Sequence, residues 1–196
     1  MNDGNTAVLD RTSGETESGD SWRGLQLVEQ SRARIARGEG KVRPGQRLDF
    51  SRASTPGDCL PQGDLYVLVL ATFEPEELAN GIPEAAKQLI YPEYKQVTDF
   101  NAPRPDGTPD NYRKLAVDDT EGAKHILNNL EGVKMWRPGD WPNSESLEGP
   151  ILLLGKDNQI DHPKHGTVGI PAGFLIEIGY QRTYDFVLKQ ERRAAD

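Results

Sequence analysis

The sequence predicts a mainly β domain, a small sandwich or barrel with a few short helices, carried behind an extended N-terminal arm. Three observations point there. Glycine and proline, 20 and 14 of 196 residues, punctuate the chain about every sixth position, which suits many short strands better than long helices. Asp64–Thr72 (DLYVLVLAT) is a β-rich apolar run introduced by the turn chemistry of Leu60-Pro61-Gln62-Gly63. From Phe174 the pattern has a period of two: Phe174, Ile176, Ile178 and Tyr180 fall on one face, Leu175, Glu177, Gly179 and Gln181 on the other. That is the signature of a half-buried strand.

The remaining elements follow in chain order. Met1–Ser21 is rich in Gly, Ser and Thr and carries a local charge of −4; such a segment cannot bury enough apolar area to offset its ordering entropy. Trp22–Arg52 is opposite in sign, with eight basic and three acidic residues. Within it Leu25–Arg37 reads as a short helix, stopped at Gly38, with Arg32, Arg34 and Arg37 at the end where the helix dipole favours cations. Its apolar stripe of Leu25, Val28, Ile35 and Ala36 is patchy, so the helix needs a partner surface. Glu74–Ile90 holds one or two short helical turns broken at Gly81-Ile82-Pro83, and Tyr91–Tyr112, with four prolines, reads as a long loop. Leu115–Asn129 fits strand or helix, and Gly139–Gly149 is a loop. Pro150–Leu154 and Thr167–Ile170 read as strands, with a polar turn at Asp161–Gly166 and a tight turn at Pro171-Ala172-Gly173. The expected division is an arm, Met1–Arg52, a β domain, Asp58–Leu188, and a charged tail, Lys189–Asp196.

Composition narrows the function classes. The longest apolar run, Leu65–Ala71, falls far short of the about 20 residues of a membrane span. The N-terminus lacks a basic patch followed by an apolar stretch, so no secretory leader is expected. Cys59 is the single cysteine, which leaves no intrachain disulfide and no cysteine-rich zinc finger. These features predict a cytoplasmic protein, or one in a virion assembled in the cytoplasm. A net charge of −8 does not suit a general nucleic-acid binder.

Histidine is the most informative residue type. The chain has three: His125, His162 and His165. Two stand three apart in Asp161-His162-Pro163-Lys164-His165, where the fixed φ of Pro163 can aim both rings the same way. If a strand at Lys124–Leu127 neighbours Thr167–Ile170, all three imidazoles converge. Three nitrogen ligands with an open fourth position make a catalytic zinc site, and closure by Asp161, Asp118 or Asp119 makes a structural one. Histidines that only satisfy the core or face solvent are the competing reading. Other templates match poorly: there is no phosphate loop and no nucleophile elbow. Cys59 reads as a small hydrophobe at a core edge, and Asp118-Asp119 as an exposed acidic turn. Trp136 and Trp141, which flank Arg137-Pro138-Gly139-Asp140, read as buried against the domain or displayed to a partner.

The stretch from Leu60 to Tyr184 resembles an uncharacterised family of small bacterial and phage β-domain proteins. That family shows a Gly-Asp strand opening, a Gly-His-Ala-His segment, a Thr-His-Pro-Glu-His turn, a Leu-Pro-x-Gly turn and a Gln-Arg-Glu-Tyr strand. The matching pieces here are Gly63-Asp64-Leu65-Tyr66, Glu121-Gly122-Ala123-Lys124-His125, Asp161-His162-Pro163-Lys164-His165, Ile170-Pro171-Ala172-Gly173 and Gln181-Arg182-Thr183-Tyr184. The resemblance implies that the three histidines belong together. At Ala123-Lys124 this chain lacks one histidine of the first pair, so a four-histidine set is incomplete.

Two functions are expected from these readings. The first is a non-catalytic assembly module of a larger particle or multi-subunit complex, such as a phage capsid or accessory protein. Its arm docks on neighbouring chains through Trp22, Leu25, Val28, Arg32, Arg34 and Arg37. The alternative is a metal-dependent hydrolase or lyase in which His125, His162 and His165 hold zinc or another divalent metal and a bound water attacks.

Overall fold

The computed structural model describes residues 26, 29–30, 46–102, 112–117, 124–139, 141 and 148–180, and the backbone of 182–185 and 190–193. In chain order its elements are β1 (Arg47–Asp49), β2 (Cys59–Gln62), β3 (Leu65–Thr72), the short helices α1 (Pro75–Ala79) and α2 (Glu84–Gln88), β4 (Lys95–Val97), β5 (Lys114–Val117), β6 (Lys124–Leu127), β7 (Val133–Arg137), β8 (Glu148–Leu154), β9 (Asn158–His162), β10 (Gly166–Ile170), β11 (Phe174–Tyr180), β12 (Arg182–Asp185) and β13 (Gln190–Arg193). They form a sandwich. One sheet runs β1-β10-β9-β6-β5, the other β2-β3-β11-β8-β7-β4, and β12 pairs with β13. Among the described residues no helix is long and apolar enough to cross a membrane.

The apolar runs read from the sequence are explained by burial on both faces. Val67 and Val69 of β3, Leu152 and Leu154 of β8, and Ile176 and Ile178 of β11 meet Leu115, Leu127, Ile160, Val168 and Ile170 of the opposite sheet in the inter-sheet core. The alternate residues Leu68, Leu70, Ile151, Leu153 and Leu175 point outward, where Ala86, Tyr94 and Trp136 close a second cluster under α1 and α2. Thus β11 is covered on both faces. Phe174, Ile176, Ile178 and Tyr180 do face the core, but Leu175 is also buried, because the helices supply a layer that alternation within one strand does not reveal. A short α1 starts well: Pro75 stands in its first turn, and Glu74 and Glu77 form a capping box.

Several segments differ from the sequence reading. Leu115–Asn129, which fits strand or helix in sequence, holds strands: β6 has the bounds expected at Lys124–Leu127, and it pairs antiparallel with β5, with Lys114 opposite Ile126. The loop read over Tyr91–Tyr112 contains β4, whose hydrogen bonds to β7 are set by tertiary pairing. His162 ends β9 rather than sitting in a turn, so the turn shrinks to the residues between His162 and Gly166. Part of the expected tail, Gln190–Arg193, pairs with β12. Trp136 and Trp141 are both buried, and the Trp141 indole donates to the Tyr180 hydroxyl, which donates to the Leu115 carbonyl.

The N-terminal segment enters the sandwich before the expected boundary. β1 lies parallel to β10, and Phe50 is buried with its ring 6.0 Å from that of Phe174. Gln26, Glu29 and Gln30 are helical and exposed; the rest of the predicted helix Leu25–Arg37, with Trp22, Leu25, Val28, Arg32, Arg34 and Arg37, lies outside the described residues. The groove for β1 depends on glycine. A Cβ on Gly166, whose φ is +76°, would stand 1.9 Å from the Gln46 carbonyl oxygen. Gly166→Ala is therefore expected to expel β1 and to expose the Thr167 amide, which donates to Gln46. A lower melting temperature with fast hydrogen exchange at Thr167 is the expected result; an unchanged melt would show that the groove gives way.

A buried histidine–carboxylate cluster between the sheets

The cluster begins with a hairpin. β2 and β3 are joined by the two-residue turn Gly63-Asp64, with Gln62 opposite Leu65. Gly63 takes the left-handed φ of +64° that such a turn favours. The turn lies at one end of the six-stranded sheet and carries Gln62 and Asp64, 0 % and 3 % exposed, inward. Across from it, β6 presents His125 and β9 presents His162.

Hydrogen bonds fix the orientation of each group. The Gln62 amide nitrogen donates to the carbonyls of Ile160 and Gly166 at 2.9 and 2.6 Å. Its Oε1 must therefore face the His125 ring and accept from Nδ1, 3.1 Å away. The other ring nitrogen, Nε2, lies 2.9 Å from Asp64 Oδ1. With the Nδ1 proton committed to Gln62, a second proton must lie between Nε2 and the carboxylate. His162 is wired the opposite way: its Nδ1 accepts the backbone N–H groups of Lys164 and His165, both at 3.1 Å. A neutral His162 thus carries its proton on Nε2. Burial lowers its pKa to about 4, the neighbouring His125 and His165 and then Lys164 push the same way, and Asp64 opposes them.

The three imidazoles predicted to converge do so. Ring centroids are 4.3 Å apart for His125 and His162, 4.4 Å for His162 and His165, and 6.0 Å for His125 and His165. β6 does not neighbour β10 directly; β9 lies between them, and it supplies His162 itself. Asp161 is turned away and accepts from Thr167 and Gln159, whereas Asp118 and Asp119 lie outside the described residues. The carboxylate that meets the histidines is Asp64. Neither Asp64 nor Gln62 was singled out by spacing; the Gly-Asp strand opening was the available signal.

Metal-ligating histidines donate their second ring N–H to an acceptor. The His125 Nδ1 does this toward Gln62, but its Nε2 is engaged by Asp64, and the His162 Nδ1 receives donors instead. Among the described residues no group of three or more His, Cys, Asp or Glu side chains is arranged to hold a metal ion. Elsewhere, a shallow depression is lined by Arg47, Asp49, Arg52 and Asp157, far in chemistry from the histidines: its charges face each other, Arg47 with Asp49 at 2.8 Å and Arg52 with Asp157 at 3.9 Å. Cys59 is partly buried against the outer cluster, as expected of a small hydrophobe.

No protein-family model matches the chain, and no solved structure matches it. Over 205 aligned residues it is 24 % identical to the protein named glutamate–tRNA ligase 2 of Novosphingobium aromaticivorans. The alignment takes in 91 % of this chain and 41 % of that protein, so the chain spans about two fifths of its relative's length.

Proposed function

We propose that this chain is a non-catalytic structural module of a larger assembly, formed in the cytoplasm or in a virion assembled there, with its basic N-terminal segment docking on neighbouring protein chains. One observation carries the reading: the residues best suited to chemistry are spent on joining the two sheets. Gln62 and Asp64 come from the six-stranded sheet's β2–β3 hairpin, and their partners His125, Ile160 and Gly166 belong to the five-stranded sheet. A buried, hydrogen-bonded link of this kind between two sheets helps to specify one arrangement of the core. The +5 of Trp22–Arg52 against the acidic remainder of the chain supports docking between copies, since opposite charge steers encounter and sets register.

The test keeps the full chain. The native mass is expected to exceed that of a monomer, and to fall to it in a variant carrying Trp22→Ala with Arg32→Glu, Arg34→Glu and Arg37→Glu. Raising the salt concentration weakens the association in the same direction. A full chain that stays monomeric at every concentration, with no co-purifying protein, overturns the reading.

The second reading, a metal-dependent hydrolase or lyase, is favoured by the convergence of the three rings within 6.0 Å. It requires His162 to turn away from its two backbone donors. Stoichiometric zinc in protein prepared without chelators supports it.

A further inference from the structure

We infer that the helical layer on the outside of the six-stranded sheet receives the basic N-terminal segment, Trp22–Arg37, of a second copy of this chain; this rests on the assembly role proposed above and adds the receiving surface.

The layer is thin. α1 buries none of its residues and α2 only Ala86. Leu68, Leu153 and Leu175 beneath it are covered, but Leu78, Ile82, Leu89, Ile90 and Tyr91 stay half-buried. All five pack on one cluster, so their exposed parts share one face of the molecule.

The charge around this apolar face is acidic. Phe73–Tyr94 carries Glu74, Glu76, Glu77, Glu84 and Glu93, all exposed, against the single basic residue Lys87, which pairs with Glu84 at 2.9 Å. Two further carboxylates stand beside its tyrosines. The Tyr91 hydroxyl donates to Glu177, and the Tyr94 hydroxyl lies 3.4 Å from Glu148; the two rings are 4.9 Å apart. Apolar centre, acidic rim and aromatic faces together suit an arginine-bearing amphipathic segment, because the guanidinium pairs with carboxylates and stacks on aromatic rings.

The N-terminal segment has the complementary chemistry in its sequence. Trp22, Leu25 and Val28 recur every third residue, and Arg32, Arg34 and Arg37 follow them. At helical spacing the three apolar residues share one side, the pattern by which a helix anchors itself in a groove. Gln26, Glu29 and Gln30, the described residues of this segment, are helical and exposed. The occupant is a second copy because β1 ties each chain's own segment to the edge of the five-stranded sheet, whereas the helical layer covers the outer face of the other sheet. Opposite charge steers the arm of one copy to the layer of the next, and the apolar anchors hold it there.

The test uses the full chain and reads native mass against protein concentration at low salt. Glu76→Lys with Glu84→Lys and Glu93→Lys reverses the rim at exposed positions. It is expected to raise the dissociation constant of the assembly by about tenfold or more, with a melting temperature close to that of wild type. Lys87→Glu makes the rim more acidic and tightens the association. The decisive step is a charge exchange. A copy carrying Arg32→Glu, Arg34→Glu and Arg37→Glu and a copy carrying the triple rim substitution are each defective alone, and mixing them restores association, because the reversed arm of the first meets the reversed rim of the second. A wild type that assembles beside a rim variant that assembles as tightly, or a mixture that restores nothing, overturns the inference and leaves the assembly reading standing. A wild type that is monomeric at every concentration removes both. If the triple rim variant melts early, Lys87→Glu decides: association no tighter than wild type overturns the inference.

Discussion

Ile178→Asp is expected to unfold the protein or to leave it barely folded. Ile178 is 0 % exposed, paired with Val67 on β3 and packed in the inter-sheet core. The substitution removes a buried aliphatic side chain, which costs about 2–4 kcal/mol in transfer and cavity terms. It also buries a carboxyl among apolar neighbours, at roughly 2–3 kcal/mol or more even when the group takes up a proton. Together these approach the whole stability of a domain, on the order of 5–15 kcal/mol. Ile178→Val is the control and should cost only about 1 kcal/mol. Chemical denaturation of the three proteins measures both. A melt of Ile178→Asp equal to wild type would remove Ile178 from the core.

The same residue shows how far the sequence could be read. The period of two in β11 was legible because one face of that strand meets a core, and the face holding Ile178 was the right one. What alternation could not convey is the third layer. Leu175, Leu153 and Leu68 sit in apolar runs because α1 and α2 cover the outside of the six-stranded sheet. A run buried on both sides carries no phase from which to read that. The same limit applies to β1 and β4, three residues each, which owe their strand conformation to neighbours far along the chain. The entry of Phe50 into the core was hidden for that reason.

At the candidate site, the convergence of the histidines was legible and its chemistry was not. Spacing brought His162 and His165 together, and a strand at Lys124–Leu127 added His125, in agreement with the resemblance. Which nitrogen each ring offers depends on long-range partners. Gln62 is 98 residues from Ile160 and 63 from His125, and no local pattern marks a glutamine as the group that sets a ring's orientation. Asp64 lies 61 residues before His125, so nothing local marks it as the carboxylate that meets the ring. The β2–β3 turn decides the matter, by carrying Asp64 across to the other sheet.

Gln62→Met is expected to have the second-largest effect, although it exchanges one unbranched side chain for another of similar size. Two buried groups, the Ile160 carbonyl and the His125 Nδ1–H, and the half-buried Gly166 carbonyl lose this partner at once. A buried polar group left unsatisfied costs about 1–3 kcal/mol. Because the three are coupled and partial relaxation admits water, a loss of about 3–5 kcal/mol is expected. At roughly 2–4 °C per kcal/mol for a chain of this size, the melting temperature should drop by about 6–20 °C. Asp64→Asn tests the other bond of the same ring: it keeps the shape, but only its amide oxygen can still accept from Nε2. If Gln62 and Asp64 hold His125 as one unit, the double variant will be less destabilised than the two single changes added together. Strict additivity would mean that the ring is held by packing alone, and a Gln62→Met protein as stable as wild type would dissolve the clamp on which the structural reading stands.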